Sequence, residues 1–180
     1  MKYHLRIAAL SCAALWAFAC VTSAQLVTFQ FDLDADQAAL GQGTTIESDG
    51  TGSGFVTLDT GTGELTWEVS FQDLTTPLGS AHFHGPADPE NTEGVVVNMA
   101  PLGDADGETS GFLEGSAFID SDIQTMILDH MTYINLHTEE FPVGEIRGQV
   151  IPEPRTYALI FGLVTLTGVV LWRYRRSRQA

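Results

Sequence analysis

The sequence predicts an all-β fold, an antiparallel β-sandwich with one short helix, between an N-terminal signal peptide and a C-terminal transmembrane helix. Three observations predict it. Apolar residues recur with period two through the middle of the chain, and sixteen glycines punctuate residues 25–150. Both ends differ from that middle in charge and in hydropathy. The expected boundaries are 1–24 for the signal, 25–151 for the domain and 152–180 for the C-terminal segment.

At the N-terminus, Lys2 and Arg6 precede an apolar stretch from Ile7 to Val21, and Thr22-Ser23-Ala24 places small residues where a signal peptidase cuts. This is the layout of a secretory signal, with the mature chain starting near Gln25. The competing reading is lipoprotein processing at Cys20, for which Ala17-Phe18-Ala19 is a poor match. The only two cysteines, Cys12 and Cys20, both fall here, so the exported domain carries no thiol and no disulfide. Its stability rests on packing, alone or with a bound ion.

In the domain, Val27, Phe29, Phe31 and Leu33 alternate with Thr28, Gln30 and Asp32, as a half-buried strand does. Segment 41–54, rich in Gly, Thr and Ser, reads as a mobile loop. A strand at 55–58 turns through Asp59-Thr60-Gly61-Thr62-Gly63 into a second, where Leu65, Trp67, Val69 and Phe71 alternate with Glu64, Thr66, Glu68 and Ser70. Further strands fit 80–84, 94–99, 111–119, 131–137 and 143–150. The one predicted helix is 121–129, capped by Asp120, with Ile123, Met126 and Ile127 at i, i+3, i+4.

Pro152-Glu153-Pro154 ends the domain, because each proline removes a donor and restrains its predecessor. The apolar run Tyr157–Trp172 spans about 24 Å as a helix against a hydrocarbon core of roughly 30 Å. With Tyr157 and Trp172 as interfacial anchors and local thinning it can cross, and Arg173, Arg175, Arg176 and Arg178 fix the C-terminus in the cytoplasm. The competing reading is a buried core helix. Pro-Glu-Pro, an apolar helix and an Arg-rich tail, in that order, closely resemble the PEP-CTERM sorting signal of exopolysaccharide-making Gram-negative bacteria. The resemblance implies processing by an exosortase-type enzyme that removes the helix.

Charge divides the chain the same way. Residues 25–150 hold 22 Asp and Glu against a single cation, Arg147, while both ends are net basic. So acidic a domain repels a phosphate backbone, which excludes nucleic acid as a partner.

Two motifs within the domain carry a second resemblance. Ala81-His82-Phe83-His84-Gly85-Pro86 and Tyr133-Ile134-Asn135-Leu136-His137-Thr138, with Pro142-Val143-Gly144-Glu145-Ile146-Arg147-Gly148, are similar to the CHRD domain, named for its occurrence in chordin. The resemblance covers about residues 26–151. The N-terminal third departs from it, with Asp32-Leu33-Asp34-Ala35-Asp36-Gln37 in place of the usual segment. It implies a fold and an extracellular compartment more than an activity.

The histidines are where chemistry can reside. On a strand, His82 and His84 project from one face roughly 7 Å apart, so two imidazoles can converge on an ion. His137 in the second motif is the candidate third ligand, for Cu or Zn. A His-x-His strand pair on a sandwich is similar, at fold level only, to copper–zinc superoxide dismutase. With His4 in the signal, only His82, His84, His130 and His137 remain, too few for a binuclear centre. The competing reading has these imidazoles bonded to loop carbonyls. Arg147 is expected to pair, most simply with Glu145 on its strand face or else with an acid across the sheet. Calcium has a weaker case at Asp32-x-Asp34-x-Asp36, which fails the EF-hand pattern at Gln37 and Gly43, and at Asp104-Ala105-Asp106-Gly107-Glu108. No catalytic triad, phosphate loop or carboxylate pair can be argued.

Two functional expectations follow. The first is a non-enzymatic binding module for a protein or glycan. It would be held in the inner membrane with its domain in the periplasm, then sorted to the cell surface or beyond. The second is a periplasmic or surface metalloprotein using His82, His84 and His137.

Overall fold

The computed structural model describes residues 25–151. The signal peptide expected at 1–24, and the Pro-Glu-Pro motif, helix and arginines expected within 152–180, lie outside the described residues. Among those described, no helix is long and apolar enough to cross a membrane.

The elements in chain order are β1 (Leu26–Asp34), α1 (Ala35–Gln42), β2 (Thr51–Asp59), β3 (Glu64–Gln72), β4 (Leu78–His84), β5 (Val95–Asn98), a 3-10 turn (Gly103–Ala105), β6 (Gly111–Phe118), α2 (Ser121–Leu128), β7 (Tyr133–Thr138) and β8 (Ile146–Gln149). The fold is all-β and antiparallel, as expected. The expected sandwich takes the form of one continuous sheet with strand order β5-β4-β7-β8-β1-β2-β3-β6. Its halves, β5-β4-β7-β8 and β1-β2-β3-β6, join through one residue pair, Asp34 with Arg147. The sheet curls until it is nearly closed and barrel-like, and Trp67 of β3 meets Phe83 of β4 edge-on at 5.7 Å across the interior. Between the edge strands runs segment 99–110, tied on by Met99 N–H to Ala81 O and Gly107 N–H to Leu78 O.

Alternation explains the core. Phe29, Phe31, Leu33, Val56, Leu58, Leu65, Trp67, Val69 and Phe71 point inward from β1, β2 and β3, and Ala81, Phe83, Ile134, Leu136 and Ile146 face them. Each such Phe, Leu or Ile contributes roughly 1.5–3 kcal/mol by leaving water, which is how a domain without a disulfide holds together.

Helix α2 ends one residue earlier than expected. The Asp120 carboxylate caps it by accepting from Asp122 N–H and Ile123 N–H, and Ile127 plugs the core. A second helix, α1, was not expected. The Asp34 side chain accepts from Gln37 N–H at its start and Gly43 closes it at φ 62°, in the left-handed region glycine favours. Its buried residues are small: Ala35, Ala38 and Gly41. The expected loop 41–54 shrinks from both sides, because α1 takes 41–42 and β2 takes 51–54 in register with Asp34–Phe31.

Candidate metal centre

Strand β4 puts Ala81 and Phe83 into the core, so His82 and His84 fall on the opposite face. The same parity in β7 places Ile134 and Leu136 inward and Tyr133, Asn135 and His137 outward. Pairing brings the outward sets together. His82 lies opposite Asn135, His84 opposite Tyr133 and Ser80 opposite His137, while Asn135 also faces Arg147 of β8. The two specific motifs thus occupy adjacent strands on one face.

That face is largely closed to solvent. Tyr133, Asn135, Arg147 and Gln149 are buried, and His84 is only 8% exposed. Segment 85–94 folds over them, with Arg147 Nη1 donating to Asn91 O, Arg147 Nη2 to Asp88 O and Gln149 Nε2 to Ala87 O. Helix α1 covers the rest, Gly41 lying directly against the Arg147 guanidinium.

Within this layer the three imidazoles converge. Ring centroids lie 5.7 Å apart for His82–His84, 4.9 Å for His82–His137 and 5.5 Å for His84–His137. Each offers a ring nitrogen within 4.8 Å of the other two, and this is the one group of three His, Cys, Asp or Glu among the described residues that meets that spacing. Neither acidic run belongs to it, and Asp34 is engaged in capping α1. His130 also lies elsewhere, its ring edge-on to Phe29.

Hydrogen bonds set the tautomers. His84 Nδ1 is 2.8 Å from Glu93 O and His137 Nδ1 is 3.1 Å from Pro142 O. A carbonyl only accepts, so each Nδ1 carries the proton and each Nε2 keeps a bare lone pair. The two Nε2 atoms face each other at 3.4 Å. That separation fits two nitrogens on one tetrahedral ion, roughly 3.3 Å for bonds of about 2.0–2.1 Å. The carbonyl bonds are also the outer-shell contacts that orient metal-binding imidazoles. His82 Nδ1 is buried with no hydrogen-bond partner, so a third nitrogen of the cluster is left without a neutralising contact.

A shared proton does not resolve the pair near neutral pH. Burial pushes His137 down from 6.5 to about 4, against the pull of the Pro142 carbonyl, and the neighbouring imidazoles His82 and His84 depress it further. Burial lowers His84, opposed by its bond to Glu93, and the charge of Arg147 lowers it again. Burial, then His84, lowers His82. All three favour the neutral form a metal needs.

The expected Glu145–Arg147 pair is not what these side chains make. Gly144 at φ 127° turns the chain before β8 begins, so Glu145 falls outside the strand alternation. Its fully buried carboxylate accepts from Ser48 Oγ and Thr75 N–H at 2.6 Å and from Thr138 Oγ1 at 2.7 Å. Arg147 donates to Asn91 O, Asp88 O and Gln149 Oε1 and stacks on Tyr133. The competing reading, imidazoles bonded to loop carbonyls, describes His84 and His137, whose partners are the carbonyls of Glu93 and Pro142. The stacking of Tyr133 on His84 was not singled out from the sequence, and the outward parity of Tyr133 with His137 was its one available signal.

A nearly closed antiparallel β domain with a part-buried three-histidine cluster on its outer face is the class that fold and site define. The CHRD domain family matches residues 29–150, and the chain belongs to that family. No curated protein and no solved structure shows a significant match.

Proposed function

We propose that this chain is an exported metal-binding protein whose CHRD domain holds one copper or zinc ion through His82, His84 and His137. The observation that carries the proposal is the facing pair of lone pairs, His84 Nε2 and His137 Nε2 at 3.4 Å, each imidazole having given its only N–H to a carbonyl. Two neutral acceptors in van der Waals contact repel, and a cation between them turns the repulsion into bonding. In this role the domain binds and orients the ion; three protein ligands leave a fourth position for water or another small donor. Delivery completes the proposal. Residues 1–24 direct export through signal peptidase. Residues 152–180, with Pro152, Glu153, Pro154 and the arginines, anchor the chain and then hand it to an exosortase-type enzyme, leaving the domain at the surface.

The test is titration of the metal-free protein with Zn(II) and Cu(II), followed by calorimetry. One equivalent should bind to wild type and raise the melting temperature, and His84→Ala and His137→Ala should each abolish tight binding. A folded wild type that takes up neither ion would sink the proposal. A second reading, a module for a protein or glycan ligand, is favoured by Phe55, Phe112 and Phe118, which are 48, 50 and 76% exposed on the outer face of β2 and β6.

A further inference from the structure

Arg147 is the one Lys or Arg between residues 25 and 151, yet it is only 2% exposed. In so acidic a segment a cation would be expected to find a carboxylate. Its hydrogen bonds go instead to neutral oxygens, Asn91 O and Asp88 O at 2.8 Å and Gln149 Oε1 at 2.9 Å. The nearby acid is Asp88, exposed, whose carboxylate accepts from Glu90 N–H and Asn91 Nδ2. The guanidinium carbon lies 3.6 Å from the centre of the Tyr133 ring. Tyr133 in turn stacks on His84, 5.0 Å between centroids and 12° from parallel. Strands β4 and β8 flank β7 on opposite sides, so the phenol ring stands between the guanidinium and the imidazole.

This column puts a fixed positive charge one aromatic ring from a candidate ligand, inside a layer shielded from water. The three imidazoles bring no negative charge, and no carboxylate belongs to their group. Resting on the metal-binding reading, we infer that Arg147 is a positioning residue that acts through Tyr133 and biases the His82–His84–His137 site toward monovalent over divalent ions, and so toward Cu(I). A buried like charge repels a divalent ion twice as strongly as a monovalent one. At an effective dielectric of about 20 and a separation of about 10 Å, each unit of ionic charge is worth on the order of tenfold in binding. The stack also holds the His84 ring in one plane, and the carbonyl of Glu93 fixes its tautomer.

The experiment uses the full chain in detergent, loaded with copper, in wild type, Arg147→Gln and Asp88→Asn. It reads the Cu(II)/Cu(I) potential and the competition between Cu(I) and Zn(II). Arg147→Gln should lower the potential by about 59 mV, the equivalent of tenfold for a one-electron couple, and shift the competition toward Zn(II) by a similar factor. Asp88→Asn, which removes the exposed acid beside Arg147, should move both readings the other way by less. Should Arg147→Gln not fold, the sign of the Asp88→Asn shift decides. Copper bound at the wild-type potential in the variants overturns the role of Arg147 and leaves the metal site standing. A wild type that binds no metal removes both.

Discussion

An imidazole that gives its only N–H to a backbone carbonyl is committed to being an acceptor at its other nitrogen. His84 and His137 are both so committed, and they face each other. The pH response of the metal-free protein follows from His137. Unfolded, it protonates near the ordinary 6.5; folded, it does so only near 4, chiefly through burial. Between those values the unfolded state binds the extra proton. Stability is therefore fully present above pH 6.5 and falls as pH drops toward 4, by up to about 3 kcal/mol from this residue. The difference in unfolding free energy between wild type and His137→Asn, followed from pH 7 to 4, isolates the effect, and a difference that stays constant would contradict it. Glu145 gives a second prediction. Its carboxylate accepts from three donors while fully buried. Glu145→Gln turns an amide N–H₂ toward at least one donor and should cost about 1–3 kcal/mol, read as a lower denaturant midpoint at unchanged slope.

At the scale of elements, helix α1 shows what was hidden from the sequence and why. It follows β1 without a break, and Asp34 both ends the strand and caps the helix, so the acidic alternation masks the change of period. Its buried residues are alanine and glycine, too small to draw an apolar stripe. Strands β1 and β3, with Phe and Leu on one face and Thr, Ser and Glu on the other, were legible because one face is core and the other water. Helix α2 was legible from its cap and its Ile127 stripe. The outward face of β4, β7 and β8 was half legible. Parity along each strand grouped His82 with His84 and Tyr133 with His137. Adjacency depends on long-range pairing, which local pattern does not encode. The same limit hid the roof, so the proximity of Glu145 and Arg147 in sequence suggested a pair that the turn at Gly144 prevents. Gly41→Ala tests the roof. Alanine favours an isolated helix by about 1 kcal/mol over glycine, but a Cβ at Gly41 overlaps Arg147 Nη1. Three hydrogen bonds and the Tyr133 stack hold that group, so the clash should win, lowering stability by about 1–3 kcal/mol in thermal melts.

For the whole molecule, burial of Arg147 changes the meaning of the domain's charge. The single cation of residues 25–151 is interior, so the surface of the described domain carries carboxylates with no Lys or Arg among them. Self-repulsion of that kind is screened within about 8–10 Å at ordinary salt. The melting temperature should rise with NaCl, and by more with CaCl₂ at equal ionic strength if the acidic loops gather the ion; a melt indifferent to both would count against the electrostatic argument. Under the proposed metal-binding reading, negative charge outside would also raise the local concentration of metal cations at the site, while Arg147 inside would select among them. The most direct measurement of the central claim is elemental analysis of the protein purified from its native host, alongside His84→Ala prepared in the same way. One equivalent of copper or zinc in wild type and none in the variant is the predicted result. A wild type that folds, survives purification and carries neither metal would contradict it.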